Sequence, residues 1–367
     1  MPLRHLLVAC LAICMLGACS KAPTPYQWAL PKGIPEPIVP ADNPMTVEGV
    51  ALGETLFFDT QLSGNGTQSC ASCHDPSRAF SDPRSFSVGS TGELTKRHSM
   101  ALVNVAYNTS FTWAHSGLTS IEQQLLIPLF GEAPIEMGAR LDDIELSSRL
   151  NTKAYCAQFK AAFGDATPTW DRVVKALSSY VRSLVSFDSP FDRYAYQGED
   201  NALSEQAIDG LNLFFSERME CFHCHGGLNF TQSSKHENQQ ITLTPFHHTG
   251  LVDDDAGDLG LYEFTLKQED KGHFRAPTLR NIALTAPYMH DGSINTLADV
   301  IDFYAAGGRA KAANHPRKSP FVPGFNITEE EKQALVAFLQ SLTGEAFEKS
   351  STNKVLITNS TGQETSK

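Results

Sequence analysis

Apolar residues recur at helical spacing near the end of each half of this 367-residue chain. They fall three and four positions apart over residues 173–184 and again over 335–342, where Thr328 and Glu331 form a capping box ahead of the second run. Period-two alternation is scarce, and only the Thr-, His- and Gly-rich segment 233–266 is expected to hold a short hairpin. The pattern predicts an all-α fold with few short strands.

A second apolar segment precedes a cysteine motif in each half. Residues 53–59 read Gly-Glu-Thr-Leu-Phe-Phe-Asp, and Cys-Ala-Ser-Cys-His follows at 70–74. Residues 210–216 read Gly-Leu-Asn-Leu-Phe-Phe-Ser, and Cys-Phe-His-Cys-His follows at 221–225. The pattern predicts an amphipathic helix ahead of each motif and an internal duplication of the chain.

Cys-x-x-Cys-His is the spacing of c-type haem attachment, in which two thiols add to the haem and the His reaches the iron. The alternative is a zinc or redox Cys-x-x-Cys pair, which has no use for a His in that position. The predicted cofactors are therefore two covalently bound haem c groups, in two cytochrome c-like domains over 47–200 and 201–345. The predicted haem-binding residues are Cys70, Cys73 and His74, then Cys221, Cys224 and His225.

The two ends of the chain resemble segments that lie outside folded domains. Residues 1–18 resemble a lipoprotein signal peptide, which makes Cys19 the predicted lipidation site, with an ordinary signal peptide as the alternative. The proline-rich stretch 19–46 is predicted to be an extended linker, and the polar stretch 346–367 a disordered tail. We expect a periplasmic protein of a Gram-negative bacterium that touches a membrane only through its lipid anchor.

The charge balance limits the classes of partner, and the cysteines outside the two motifs have separate predicted roles. Lys and Arg total 29 against 41 Asp and Glu, so the formal net charge is −12. This balance argues against nucleic acid and suits a basic redox protein as donor or substrate. Of the other cysteines, Cys10 and Cys14 belong to the signal segment, and Cys156 is predicted to be a buried, unreactive thiol, with a redox role as the alternative.

Longer motifs carry a family resemblance. Residues 56–59, 189–194, 274–281 and 284–292 are similar to motifs of the bacterial dihaem cytochrome c peroxidases and their relatives of the MauG type. The similarity runs from about Val47 to Leu342. Within the family, residues 99–107 and 112–114 most resemble the MbnH-type branch.

The resemblance implies that the two irons differ in what lies on the haem face opposite the motif His, which we call the far side. For the C-terminal haem, the family's second ligand lies seven residues after the Leu of a Thr-Leu pair, which here leads to Tyr304, with Met289 as the competing candidate. Tyrosine is an established haem ligand type. For the N-terminal haem, the stretch 87–93 lacks the distal His of many peroxidases, and the nearest is His98. The resemblance therefore implies an open N-terminal iron that reacts with hydrogen peroxide.

The resemblance also supplies catalytic candidates. The family's Glu-Met-Gly motif, with a Gln and a Pro before it, corresponds to Glu136, Gln124 and Pro128, although the Pro-to-Glu spacing is two residues longer here. A carboxyl group at this position would move a proton between the peroxide oxygens. Trp113 matches, within one residue, a Trp between the haems that relays electrons, whereas Trp170 is predicted to be core.

A calcium ion is a further candidate cofactor. The family holds it with backbone oxygens that correspond to Thr285 and Pro287, and with an Asn that His98 replaces here. Imidazole is a poor ligand for this hard cation, so calcium retention stays open. The acidic turn at 253–258 is expected to be a solvated loop.

Three functions follow from these expectations. The first is oxidation of a secreted partner protein, at a Trp residue, by hydrogen peroxide through a high-valent dihaem state. The second is a cytochrome c peroxidase that takes electrons from a small cytochrome or cupredoxin. The third is a non-enzymatic dihaem electron carrier. The missing distal His and Tyr304 favour the first over the second, and Glu136 with Gln124 disfavours the third.

Overall fold

Helices dominate the structure, a computed structural model that describes residues 22–238, 245–252 and 257–347. Within these ranges no helix is long and apolar enough to cross a lipid bilayer. The predicted signal peptide, Cys19 and the tail beyond residue 347 lie outside the described residues. The helices of the first half are α1 (Val47–Phe58), α2 (Ile121–Phe130), α3 (Asp143–Arg149), α4 (Lys153–Phe163) and α5 (Trp170–Ser183). Those of the second half are α6 (Pro190–Gln197), α7 (Glu205–Phe214), α8 (Cys221–His225), α9 (Tyr262–Thr265), α10 (Leu297–Ala305) and α11 (Glu329–Gln340). α6 precedes the predicted boundary at 200, but its Phe191 packs in the core of the second half.

In the first half, α1 packs against α5, the helix predicted from the apolar spacing. α5 buries Val173, Leu177 and Val181. The two helices meet at Gly53, where a Cβ atom would lie 2.0 Å from the carbonyl oxygen of Ala176. Only glycine allows the backbones to approach this closely. The predicted helix ahead of the first cysteine motif is therefore α1, and it is seated on the core by α5.

The second half repeats this arrangement with α7 and α11. A Cβ atom at Gly210 would lie 1.9 Å from the carbonyl oxygen of Ala334, so this pair also meets at a glycine. The capping box of α11 is confirmed, because the Thr328 N–H donates to Glu331 Oε2 (3.1 Å) and the Glu331 N–H donates to Thr328 Oγ1 (3.2 Å). In each half, the helix ahead of the cysteine motif thus packs on a later helix of the same half, α1 on α5 and α7 on α11.

An asparagine fastens the end of the last helix in each half. Asn104 and Asn281 both adopt φ of 60°, a left-handed conformation that Asn tolerates. The Asn104 N–H donates to the Leu184 carbonyl (2.8 Å), and the Asn281 N–H donates to the Leu342 carbonyl (2.9 Å). The side-chain oxygen of Asn104 accepts from the Ser186 N–H and that of Asn281 from the Gly344 N–H, both at 2.8 Å. These joints connect segments far apart in sequence.

The two short strands do not form the hairpin that the sequence predicts within residues 233–266, because one of them lies outside this segment. β1 (Phe246–His247) pairs antiparallel with β2 (Phe274–Arg275), which lies beyond that segment. The reason is that β2 is also held by the first half, since the Arg275 N–H donates to the Trp113 carbonyl at 2.7 Å. The described part of the 233–266 segment therefore supplies one strand of a small sheet rather than a self-contained hairpin.

The described part of the proline-rich stretch lies against the first half. Its start and end are joined by a backbone bond from the Val47 N–H to the Thr24 carbonyl (2.9 Å). Its middle is held by the Tyr107 hydroxyl, which donates to the Pro35 carbonyl at 2.8 Å. From Thr24 onward, this stretch is therefore attached to the body and adds no free reach to it.

Candidate functional site

The two motif histidines are held in the same way. His74 Nδ1 lies 2.8 Å from the Phe80 carbonyl oxygen, and His225 Nδ1 lies 3.2 Å from that of Phe230. Burial lowers the pKa of both imidazoles, which favours the neutral ring. Because Nδ1 must donate to a carbonyl, the proton sits there and Nε2 keeps its lone pair. Each His is therefore prepared to ligate iron through Nε2.

The motif thiols are poor candidates for a redox or zinc pair. Burial raises the pKa of Cys70 and of Cys221 to about 12, and that of Cys224 to about 11. Reactive dithiols and zinc ligands act as thiolates, which a low pKa favours. A buried thiol that keeps its proton fits a cysteine that is joined to a cofactor by a carbon–sulfur bond. This supports the haem interpretation of both motifs.

A large, mainly apolar cavity beside the second motif fits a haem. Cys221, Cys224 and His225 line it, together with both candidate second ligands, Tyr304 of α10 and Met289. The apolar part of its lining includes Leu251, Leu279, Leu297, Ile301 and Leu335. Thiols, an imidazole with a free Nε2 and apolar walls are the groups that a haem c needs. The residues present therefore fit the predicted cofactor.

Tyr304 lies close to the motif thiols within this cavity. Burial raises the pKa of its phenol, and the neighbouring Cys224 and Cys221 raise it further. Met289, in a left-handed backbone conformation with φ of 73°, lines the same cavity. Tyr304 and Met289 both line this cavity, so the identity of the second ligand of the C-terminal haem stays a prediction.

Glu136 lies close to the first motif. Its carboxylate contributes, after burial, to the raised pKa of both Cys70 and Cys73. Its own pKa is raised by burial. The loop around it is fastened by backbone bonds, since the Ser90 N–H donates to the Glu136 carbonyl at 2.7 Å. A carboxyl group whose pKa burial raises, held near the first haem-attachment site, is a candidate for proton transfer.

Gln124 and Pro128 lie on α2, next to this loop. The Met137 N–H donates to the Pro128 carbonyl at 2.9 Å, which joins the loop to the helix despite the two extra residues in the Pro-to-Glu spacing. Gln124 Oε1 is buried and has no hydrogen-bond partner among the described residues. A buried acceptor without a partner is unfavourable in the free protein, so it marks a place where a ligand or water would be bound. The structure thus joins the Glu136 loop to Pro128 of the helix that carries Gln124, and a catalytic role for Glu136 and Gln124 remains a prediction.

No histidine occurs at 87–93, and His98 is not free to replace one. The His98 ring lies between two partners, with Nδ1 3.0 Å from the Arg84 carbonyl and Nε2 3.1 Å from Ser81 Oγ. The side chain is buried. A ring engaged on both nitrogens has no lone pair to offer to a metal. His98 is therefore not available as a distal iron ligand.

The candidate calcium position contains the same His98. Thr285 and Pro287 line the large cavity together with this imidazole. Burial lowers the pKa of His98, and a neutral, hydrogen-bonded ring provides neither charge nor oxygen for Ca²⁺. Part of the acidic turn, residues 253–256, lies outside the described residues, and Asp258 forms a salt bridge with Arg97 at 2.7 Å. Calcium stays an untested prediction.

Trp113 lies where the two halves meet. Its indole N–H donates to the His98 carbonyl at 2.7 Å, and its ring lines the large cavity. On the other side it contacts His290 edge to face, with ring centroids 6.3 Å apart. His290 is itself stacked on Phe274 at 3.5 Å. Trp113, the predicted relay residue, therefore lies between the halves and begins a row of three rings that continues with His290 and Phe274.

The sequence pattern alone assigns no role to His290 or Phe274. Both lie in the segments that carry the family resemblance, 284–292 and 274–281, and this is the signal by which they can be found. Trp170 is in the core as expected, packed edge to face on Phe130 at 4.9 Å. Cys156 is only half-buried, on α4.

The fold and the two attachment sites define a c-type cytochrome with two haem-binding halves. Comparison with known proteins is consistent with this. A profile of the family described as di-haem cytochrome c peroxidase matches residues 47–201. Cytochrome-c peroxidase IdrP1 of Pseudomonas sp. (strain SCT) is 34% identical over 93% of this chain and 92% of its own length. Methylamine utilization protein MauG of Methylophilus methylotrophus is 33% identical over 94% of this chain and 97% of its own length.

A solved structure extends the similarity to the fold. A MauG-like protein associated with microbial copper homeostasis superposes with a TM-score of 0.84, at 43% identity, over 88% of this chain and 97% of that protein. The chain belongs to the di-haem cytochrome c peroxidase and MauG family. It is therefore a dihaem oxidoreductase of the peroxidase type. Members of this family react with hydrogen peroxide and act on a partner protein or a redox donor.

Proposed function

We propose that this protein uses hydrogen peroxide to oxidise a secreted partner protein, at a Trp residue. Cys70, Cys73 and His74 would hold the haem that supplies the chemistry with hydrogen peroxide. Cys221, Cys224 and His225 would hold the haem that passes electrons to and from the partner. The haems supply the redox chemistry. The chain supplies proton transfer, the electron path and the exclusion of competing ligands.

The observation that carries the proposal is a carboxyl group with a raised pKa near the first motif, where no imidazole is available as a distal ligand. Glu136 lies near this motif, while the stretch 87–93 has no His and His98 is engaged on both ring nitrogens. A pure electron carrier needs neither feature. A peroxidase that awaits the departure of a distal His would need a mobile imidazole here, and the local hydrogen bonds of His98 oppose that.

Glu136 would move one proton between the two oxygens of the bound peroxide as their bond breaks. Overall, hydrogen peroxide takes two electrons and two protons and leaves as two waters, while the partner residue loses two electrons. Gln124 Oε1, buried and unpaired among the described residues, would accept a hydrogen bond from the peroxide or from a water beside it. The two side chains thus orient the oxidant and time its cleavage.

Trp113 would carry electrons between the two haems. It spans the junction of the halves and is buried, with its indole N–H committed to the His98 carbonyl. A buried aromatic ring at this place shortens the electron path and shares the oxidising charge between both sites. The similarity to the MauG-like protein associated with copper homeostasis, at 43% identity, favours a partner-oxidising activity over simple peroxide removal.

The same proposal includes the organisation inferred from the sequence. We treat 47–200 and 201–345 as duplicated cytochrome c domains, and the shared glycine crossings and asparagine joints support this. Tyr304 would be the second axial ligand of the C-terminal haem. The chain would be exported to the periplasm and anchored through lipid on Cys19, and a calcium ion near Thr285 and Pro287 would be weakly held.

Stopped-flow mixing of the two-haem protein with stoichiometric hydrogen peroxide, without any donor, tests the function. A long-lived product oxidised by two electrons, which decays faster when a Trp-containing partner protein is added, is expected. Fast decay without a partner, together with efficient turnover of a small reduced cytochrome or cupredoxin, would instead identify a scavenging cytochrome c peroxidase. No reaction with peroxide at all would refute both.

A further inference from the structure

Two buried arginines line the large cavity, and only one of them has an acidic partner among the residues that the structure describes. Arg280, which is 1% exposed, donates to Asp192 Oδ2 at 2.9 Å and to the Leu228 carbonyl. Arg275, which is 4% exposed, forms no salt bridge with any described residue. A buried charge is costly unless it is paired, so Arg275 requires an anion that the described part of the chain does not provide.

The hydrogen bonds of Arg275 leave part of its guanidinium unused. Nε donates to the Thr112 carbonyl at 2.7 Å, and Nη2 donates to Met100 Sδ at 3.0 Å. A thioether is a weak acceptor. Nη1 has no acceptor among the described residues. Burial lowers the pKa of Arg275 to about 10, with no neighbouring carboxylate to oppose this. The group still carries its charge at neutral pH.

We propose that Arg275 binds a propionate carboxylate of the haem attached to Cys221 and Cys224. The side chain lines the same cavity as these thiols and His225. A haem brings two carboxylates into an otherwise apolar cavity, and the planar guanidinium fork matches the geometry of a carboxylate. The inference depends on the haem sites of the proposed function, and it adds a residue that the motif spacing does not assign.

Arg275 lies beside residues of both haem-attachment sites. Its backbone N–H donates to the Trp113 carbonyl, and its Nη2 contacts Met100, whose backbone lies against the His74 ring. Arg275 therefore sits on the junction between the two sites. A fixed positive charge there favours the ferrous over the ferric form of the nearby haem and keeps the propionate ionised. We assign Arg275 as a positioning residue that sets the reduction potential of the C-terminal haem.

The test compares R275Q and R275K with the wild-type protein by spectroelectrochemical titration of each haem between pH 6 and 8. For R275Q, the ferric-to-ferrous equilibrium of the C-terminal haem should shift at least tenfold toward ferric, which is about 59 mV for one electron. Its midpoint potential should also become dependent on pH, because the unpaired propionate takes up a proton. R275K keeps the charge and should retain most of the wild-type potential.

R182Q is the matched control, because Arg182 is equally buried but pairs with Glu122 at 2.6 Å and does not line the haem cavity. Its haem potentials should not change. A folded R275Q protein with two haems and wild-type potentials would overturn the proposal. If R275Q does not fold, a tenfold shift in R275K would overturn it instead. Haem content and peroxide reactivity, measured in parallel, show separately whether the proposed function holds.

Discussion

Replacing Glu136 with Gln should slow the reaction with hydrogen peroxide by about 10²–10⁴-fold, the usual contribution of a positioned acid–base group. The corresponding increase in the barrier is about 2.7–5.4 kcal/mol. Gln keeps the shape of the side chain, and the bonds that fasten the loop use only the backbone: Ser90 N–H to the residue 136 carbonyl (2.7 Å) and Met137 N–H to the Pro128 carbonyl (2.9 Å). The loss should therefore come from the missing proton transfer and not from a displaced loop.

The pH dependence supplies a second signature of this residue. Burial raises the pKa of Glu136, and the carboxylate form is the one that accepts the first proton of the peroxide. The wild-type rate should therefore fall as pH decreases through that raised pKa, and the residual rate of E136Q should lack this limb. Stopped-flow absorbance from pH 5 to 8 measures both. The control is E132Q, because Glu132 is exposed and lies four residues earlier on the same loop. An E136Q rate equal to that of the wild type, or an equal loss in E132Q, would refute the assigned role.

Three further changes test the site and the fold. Tyr304→Phe should alter the absorption and EPR spectrum of the C-terminal haem, whereas Met289→Leu should not; the reverse result would transfer the ligand role to Met289. Gly210→Ala should destabilise the protein by about 1–3 kcal/mol in denaturant unfolding, because the added Cβ would lie 1.9 Å from a carbonyl oxygen of α11; unchanged stability would contradict the close crossing. Asp192→Asn should cost about 3–5 kcal/mol by leaving Arg280 buried without its partner, and a neutral effect would show that the pair is not needed.

The parts of the fold that could be predicted are those with a local pattern. α5 and α11 follow from apolar spacing, the capping box of α11 involves residues three apart, and each motif carries its own His. The glycine crossings and the asparagine joints leave no such signal, because each connects segments that lie far apart in the chain. Asn104, for example, bonds with Ser186, 82 residues away. Sequence alone could show that Asn104 is polar, and only the fold shows that its side chain closes the first half.

For the site, too, the sequence identifies candidate residues but does not show their surroundings. Glu136 and Gln124 were identified through a motif, yet the feature that supports their role is burial, which the motif does not encode. Arg275 shows the opposite case. It stood inside a quoted motif, but its importance depends on the absence of a carboxylate around it, and this becomes visible only when all described neighbours are in place.

The two halves are alike on the side of the motif histidines and different on the other side. In each half a helix pair crosses at a glycine, an asparagine closes the last helix, and a backbone carbonyl fixes Nδ1 of the motif His. These shared contacts hold a haem but do not select its chemistry. The differences lie beyond them. A carboxyl group with a raised pKa lies near the first motif, and the cavity of the second contains a phenol, a thioether and a guanidinium that has no acidic partner among the described residues. Under the proposed function, this repeated support with a varied far side would make one haem reactive and the other an electron carrier. Exchanging the far-side residues should then change function, whereas exchanging the glycines and asparagines of the shared support should change stability.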